Sequence, residues 1–410
     1  MYKYLISLVL LGWIASGCGV YQLNPSSEAH SATSSLQPTA QKSPPPPATP
    51  TEASRATPTP PPTPAGQSGE WDLLFSDDFD GSALDTNKWT TCYWWDDDGC
   101  TIISNNELEW YQPDDVLVSN GTLKLRAQER TIEAANGETY DYTSGMISSG
   151  RKTSDTSLPP GFSFQYGYAE IRAKIPAGQG LWPAFWLLPA SHNSKPEIDV
   201  LEILGHEPNT IHMYFHYPID EEESDSTGES WTGPDFSAGW HTFAVDWHPD
   251  AITWYVDGVE RRRYSEITHI PATPMYLLAN LAVGGDWPGE PDSSTPFPSY
   301  YEIDYMRVWQ RADQTYLTSV ADTSVDSSSP SGNFGSDDTL YVDGSPAKIT
   351  YLKFDTTALA GKFIASATLR IKTTTDSGSD STYTQTVKLV TAHNKMIVIL
   401  LSFMALPFSE

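Results

Sequence analysis

From Glu197 to Glu202 the run Glu-Ile-Asp-Val-Leu-Glu places three carboxylates in six residues among apolar neighbours, a spacing that few backbones satisfy. Ile198, Val200, Leu201 and Ile203 suit a pleated, half-buried surface, so the stretch reads as a strand rather than a helix. Trp182-Pro183-Ala184-Phe185-Trp186 and Tyr214-Phe215-His216-Tyr217 carry the same β bias. On a regular strand Glu197 and Asp199 share a face by the period of two, but Glu202, an odd number of residues from Glu197, points the other way. One bulged residue at Val200 or Leu201 restores the parity and aligns all three acids. Two carboxylates with a third between them are the equipment of glycoside hydrolysis. The alternative, a strand with an acidic solvent face, fits poorly with so much tryptophan around it.

The chain has 410 residues with 14 Trp, 21 Tyr and 14 Phe, enough for a large core and for two or three domains. Its formal charge of −28 argues against nucleic acid, anionic lipid headgroups and acidic polysaccharides as partners, and fits a neutral glycan. The run Asp220-Glu221-Glu222-Glu223 is expected to be a solvated loop rather than a metal site.

Lys3, an apolar run from Leu5 to Ile14 and then Ala15-Ser16-Gly17-Cys18 form a secretory signal too short for a stable membrane span. The small residues before Cys18 resemble a bacterial lipoprotein box, in which that cysteine becomes the lipid-bearing first residue; the alternative is an ordinary cleaved signal. Cys92 and Cys100 remain, and in an exported protein they are expected to pair. Closing so short a loop is worth roughly 2.5 kcal/mol, so its purpose is more to hold Trp94 and Trp95 in place. Pro-, Ser- and Thr-rich sequence follows the signal, and as polyproline some fifty residues of it reach roughly 150 Å, a tether.

Beyond the tether the chain carries many short strands and turn signals and no long helical periodicity. Asn120-Gly121 and Asp257-Gly258 close two expected hairpins. Between Tyr168 and Ile175, Ala169, Ile171, Ala173 and Ile175 alternate with Glu170, Arg172 and Lys174, the pattern of a strand buried on one face. The fold class is therefore all-β, a sandwich.

From about Trp71 to Gln310 the chain resembles glycoside hydrolase family 16, the laminarinases and lichenases. The resemblance is carried by seven segments in the family's order: Asp77–Gly81, Asn106–Tyr111, Tyr166–Lys174, Gly180–Trp186, Glu197–Glu202, Asn280–Trp287 and Ile303–Trp309. It implies a concanavalin-like jelly roll with a glycan cleft, Glu197 as nucleophile, Glu202 as acid/base and Asp199 hydrogen-bonding Glu197 between them. It places Trp182, Trp186 and Trp287 in the cleft, with Trp110, Trp94 and Trp95 around it, and leaves Trp71, Trp89, Trp247, Trp254 and Trp309 to the core. His216 either touches substrate or is structural. Asn280 is expected to bind substrate hydroxyls, and Arg172 either does so or supports a residue that does. Catalysis needs no cofactor. One structural calcium is implied, held by the Asp304 side chain and the carbonyls of Asp78 and Gly121; otherwise Asp304 merely caps the last strand.

After Arg311 the composition shifts to Ser, Thr and Asp, and Ala321–Thr323, Asn333–Gly335, Tyr351–Asp355 and Ser366–Ile371 resemble the opening half of a DNRLRE-type β-sandwich module. The apolar run Met396–Met404 is unlike a strand of that module and suggests a disturbed reading frame. The expected organisation is a lipoprotein-type signal over 1–18, a linker over 19–68, the catalytic domain over 69–312, a partial module over 313–393 and an aberrant apolar tail over 394–410. The expected function is a secreted, lipid-anchored endo-β-1,3(4)-glucanase, monomeric, acting on neutral β-glucan with retention and touching the membrane only through its lipid. The alternatives are a glycan-binding protein on the same fold, a transglycosylase or a galactan hydrolase.

Overall fold

The computed structural model describes residues 7–11, 62–94, 100–155, 157–191, 194–219, 223–335, 341, 343–344, 347–359, 366–370, 385–393 and 396–403. Cys18, nearly all of the linker, Trp95 and the acidic Asp220-Glu221-Glu222 lie outside these residues.

The region from Trp71 to Arg311 is built from two sheets. The smaller has six strands in the order Ser224–Thr232, Thr210–Pro218, Glu197–Ile203, Leu181–Pro189, Met275–Val283 and Met146–Ser148. The larger has ten, running from Val259–Tyr264 through Ala251–Val256, His241–His248, Gly167–Lys174 and Ser299–Arg311 to Thr122–Glu133 and beyond. Alternation sends Phe185, Ile198, Leu201 and Phe215 of the first sheet and Ile171, Phe243, Val245 and Val308 of the second into one common apolar core. Among the described residues the helical turns are three short 3-10 segments, none long and apolar enough to cross a membrane. The all-β jelly-roll sandwich is the observed fold.

Both expected hairpins form. Asn120 and Gly121 take φ 56° and 71°, and Asp257 and Gly258 take 51° and 73°, the left-handed pairs that match strand twist. Gly258 meets a second demand, because a Cβ there would lie 2.8 Å from the main chain of Ala65 and Gly66. Residues before Trp71, assigned to the linker by composition, thus pack on the domain. They also explain why Glu170, expected on a solvent face, is buried: its carboxylate accepts hydrogen bonds from Ala65 N at 3.1 Å and the Tyr305 hydroxyl at 2.8 Å. The five tryptophans left to the core, Trp71, Trp89, Trp247, Trp254 and Trp309, are all buried.

The C-terminal region is a further β-sheet containing Gln314–Asp326, Ala347–Asp355, Ser366–Arg370 and Gln385–His393. The apolar run near the terminus departs from expectation: Met396–Phe403 is a strand, paired with both Ala347–Asp355 and Gln385–His393. Its Ile, Val and Leu residues suit a strand with neighbours on both edges, whatever their origin. Ser7–Leu11 lies between Gln314–Asp326 and Ser366–Arg370 in the same sheet and pairs with both.

Candidate active site

The bulge inferred from parity is present. Asp199 lies opposite Tyr214 and Trp186, while Glu202 lies opposite His212 and Ala184. Three residues along the acidic strand therefore match two along each neighbour, and the surplus falls at Val200-Leu201. Val200 and Leu201 both turn into the core, and Glu197, Asp199 and Glu202 all line one cleft of about 410 Å³. Trp182, Trp186, Lys195, His216, Asn280 and Trp287 line it too.

Electrostatics divides the three acids. Burial, then the charges of Asp199 and Glu197, holds the Glu202 carboxyl well above the usual carboxylate range and favours its protonated form. The indole N–H of Trp182 faces Glu202 but falls short of a hydrogen bond. Glu197 is pushed up to about 6 by burial and Asp199, against the pull of Lys195 and His216. Lys195 Nζ donates to Glu197 Oε2 at 2.8 Å, and His216 Nε2 lies 3.2 Å from Asp199 Oδ2 and 4.0 Å from Glu197 Oε1. The His216–Asp199 pair is near enough for an ion pair when the ring is protonated, though not aligned as a hydrogen bond. Glu197, Asp199 and His216 bring donor atoms within 4.8 Å of one another, a grouping that could take a cation, but the Lys195 ammonium already supplies positive charge at Glu197.

The cleft walls are aromatic. Trp287 is 39% exposed and meets Trp182 edge-on at 5.2 Å and His212 at 4.8 Å. Tyr214 stacks beside His216 at 6.0 Å. The Trp287 loop is clasped to the opposite wall: Asp286 N donates to the Asn105 carbonyl at 2.9 Å, and Asn106 Nδ2 to Asp286 Oδ1 at 3.0 Å. Beneath the floor, Tyr93, Trp94, Tyr111, Trp186 and Tyr276 form an apolar cluster against which Cys100 packs. Cys92 and Cys100 are joined in a disulfide, and Trp94 Nε1 donates to the Tyr276 hydroxyl at 2.8 Å.

Two expected substrate contacts fall elsewhere, and a third is committed internally. Trp110 is buried and packs on Tyr140, because its short strand joins the ten-stranded sheet rather than the cleft sheet. Arg172 is also on the ten-stranded sheet, where Nη1 binds Asp304 Oδ2 at 2.6 Å and the guanidinium lies over Trp240. Asn280 does reach the cleft floor, but its amide is committed internally. Oδ1 accepts from Trp186 Nε1 at 2.8 Å and Nδ2 donates to the Tyr111 hydroxyl at 3.0 Å, so it orients Trp186 instead.

For the implied calcium, Asp304 offers its second carboxylate oxygen. The Asp78 carboxylate is taken by Arg307 at 2.7 Å, which leaves its main-chain carbonyl, the atom expected to ligate. Gly121 sits in the tight turn before the Thr122–Glu133 strand. The donors are all oxygen, the kind calcium takes, and fit it by type, with Arg172 offsetting part of the Asp304 charge.

Residues not singled out from sequence join the site. Lys195 is two residues before Glu197, so alternation alone could have found it, as it could His212 and Tyr214 beside His216. Glu107 lines the cleft, with Glu109 buried behind it. Glu107 Oε1 accepts from Asn105 Nδ2 at 2.8 Å and Glu109 Oε2 from Val283 N at 2.7 Å. Glu107 Oε2 and Glu109 Oε1 are buried without a hydrogen bond, and burial, the largest cause, raises both carboxyls above the usual carboxylate range.

Residues 104–307 match the family described as glycosyl hydrolases family 16. A β-glucanase of Rhodothermus marinus is 31% identical over 263 residues, covering 58% of this chain and 85% of that protein. The chain belongs to glycosyl hydrolases family 16. An endo-1,3-1,4-β-glycanase of Rhizobium meliloti is 34% identical over 57% of this chain, which spans only 51% of that relative's length. Among solved structures, the endo-β-1,3-glucanase of Pyrococcus furiosus has a TM-score of 0.52 at 35% identity, covering 58% of this chain and 94% of that one. The laminarinase catalytic domain of Thermotoga petrophila has 0.52 at 34%, covering 60% and 100%. Residues 313–395 match carbohydrate-binding module family 96, a coarser statement than the DNRLRE type expected.

Proposed function

We propose that the protein is an endo-β-1,3(4)-glucanase that cleaves internal β-1,3 or mixed-linkage bonds of a neutral glucan with retention of configuration. The carrying observation is the bulge at Val200-Leu201, which turns an ionisable Glu197 and a proton-holding Glu202 into one tryptophan-walled cleft. Glucan-active relatives and the aromatic walls support a glucan as the polymer. In the first step the Glu197 carboxylate attacks the anomeric carbon as Glu202 gives its proton to the departing oxygen. In the second, Glu202 takes a proton from the incoming water and the sugar–Glu197 bond breaks. Asp199, between the two, keeps them from being ionised together. A glycan-binding protein would have no use for this division of protonation.

The same reading makes the family 96 region a glycan-binding module that keeps the enzyme on its polymer. It also makes residues 1–18 an export signal, with Cys18 the lipid-bearing anchor of a monomeric extracytoplasmic enzyme and the proline-rich segment its tether. Calcium, when bound, would tie Asp304 to the carbonyls of Asp78 and Gly121, a role in stability rather than in chemistry.

Product analysis on laminarin, lichenan, agarose and carrageenan, with proton NMR of the first-formed reducing end, tests the reading. Oligosaccharides from laminarin or lichenan with the β anomer appearing first are expected. An α anomer first, or cleavage of the galactans alone, would overturn it.

A further inference from the structure

Lys195 is not one of the acids, yet it touches the one assigned as nucleophile. Its ammonium donates to Glu197 Oε2 at 2.8 Å, and both side chains are mostly shielded, 27% and 19% exposed. Among the described residues no other lysine or arginine lines the cleft, which holds Glu107, Glu197, Asp199 and Glu202. Three of those acids stand on one short strand, so at least one positive charge is needed if Glu197 is to be an anion while its neighbours compete for protons. Glu197 Oε1, by contrast, lies 4.0 Å from His216 Nε2.

We propose that Lys195 is a positioning residue for the reaction, holding Glu197 as a carboxylate through Oε2 and leaving Oε1 as the oxygen that attacks the anomeric carbon. The proposal rests on the glucanase reading for the identity of the reaction, but not for the ion pair itself. In the first step the bond from the anomeric carbon to Oε1 forms and the bond to the leaving oxygen breaks, and Glu202 delivers the proton. Oε2 then becomes the carbonyl oxygen of the ester, and its hold on Lys195 weakens with the lost charge. When water attacks, the returning negative charge on Glu197 finds the ammonium in place.

Other groups face Glu197 as well. Asp199 and Glu202 flank it on its own strand and favour its protonated form. His216, across on the Thr210–Pro218 strand, favours the anion when protonated. From the Met275–Val283 side the Tyr276 hydroxyl approaches, neutral at working pH, with Arg151 beyond it; Glu107 stands on the far wall. Among the described residues Lys195 is the one fixed positive charge in direct contact.

The test titrates Glu197 directly. In protein carrying 13C-carboxyl glutamate, the Glu197 resonance is assigned by its loss in Glu197→Gln and followed with pH in wild type, Lys195→Met and Lys195→Arg. The wild-type midpoint is expected near 6. In Lys195→Met it should rise by about one unit or more, and in Lys195→Arg stay near wild type. On whichever glucan the wild type cleaves, the acid limb of kcat/KM should move upward with it. Lys195→Gln serves if the Met variant does not fold, since the side chain is partly exposed. An unchanged midpoint in a folded variant would overturn the proposal. A wild type that cleaves no glycan would sink the glucanase reading and the reaction role with it, while the titration still decides the ion pair.

Discussion

The indole N–H of Trp254 donates to the main-chain carbonyl of Asp199 at 2.8 Å, a bond that passes from the ten-stranded sheet to the six-stranded one. Asp199 is where the bulge begins, the place where a carbonyl loses its partner in the ladder. Arg262 stacks over Trp254 at 4.4 Å and donates to the Met213 carbonyl at 2.6 Å on the adjoining strand. A residue deep in the core thus fixes the backbone irregularity on which the acids depend.

Trp254→Phe keeps an aromatic ring but leaves that carbonyl unpaired, a cost of about 1–3 kcal/mol. Melting temperature should fall, and kcat should drop on the order of tenfold or more with KM little changed, as a misaligned pair of carboxylates would give. Steady-state kinetics with a thermal melt decide it; a variant that melts lower yet keeps its full kcat would show that the bulge holds without the bond.

Gly228 lies under the ring of Tyr214, and any Cβ placed there would collide with it. Gly228→Ala should push Tyr214 off its stack with His216 and raise KM several-fold. Gly239→Ala is the control, since nothing lies within 4 Å of a Cβ at that position. Equal kinetics for the two variants would show that Tyr214 has no part in binding.

Burial of Glu107 and Glu109 ties stability to pH. Both carboxyls are raised in the folded protein, so above their unfolded pKa the folded state binds more protons than the unfolded one, and stability falls as pH rises toward the folded values. Glu109→Gln removes part of that dependence while keeping an amide able to hydrogen-bond Glu107. Denaturant unfolding from pH 5 to 8 should show a shallower loss of stability for the variant than for wild type.

Chelation should lower the melting temperature without changing the pH profile of turnover, because Asp304 belongs to the ten-stranded sheet and the acids to the six-stranded one. Asp304→Ala should abolish the sensitivity. Identical melting curves with and without chelator would remove calcium from the account.

The acids could be read from sequence because parity is a local property: an odd separation and a period of two leave one remedy, and the strand contains it. The resemblance, not periodicity, assigns the five core tryptophans, and all five are buried. It also sets Trp110 and Arg172 near the cleft, whereas both stand on the ten-stranded sheet, a partnership that no local pattern in the sequence names. Asn280 reached the right cleft, but its commitments run to Trp186 and Tyr111, which lie far from it in sequence. The Asp199–Trp254 bond joins residues from different sheets and leaves no periodic trace. The run at Met396–Phe403 lies beyond the match to carbohydrate-binding module family 96, which ends at residue 395, yet its Ile, Val and Leu residues suit the strand it forms.

The strand Ser224–Thr232 is the outer edge of the six-stranded sheet, nine residues of mostly exposed hydroxyl and acidic side chains around Gly228. Such an edge offers unpaired backbone groups to any second copy that drifts alongside. Were two copies to pair antiparallel about Thr227, Asp225 of each would stand opposite Glu229 of the other, like charges at the closest approach a sheet allows. In that register the edge resists being extended by a second copy into a continuous sheet.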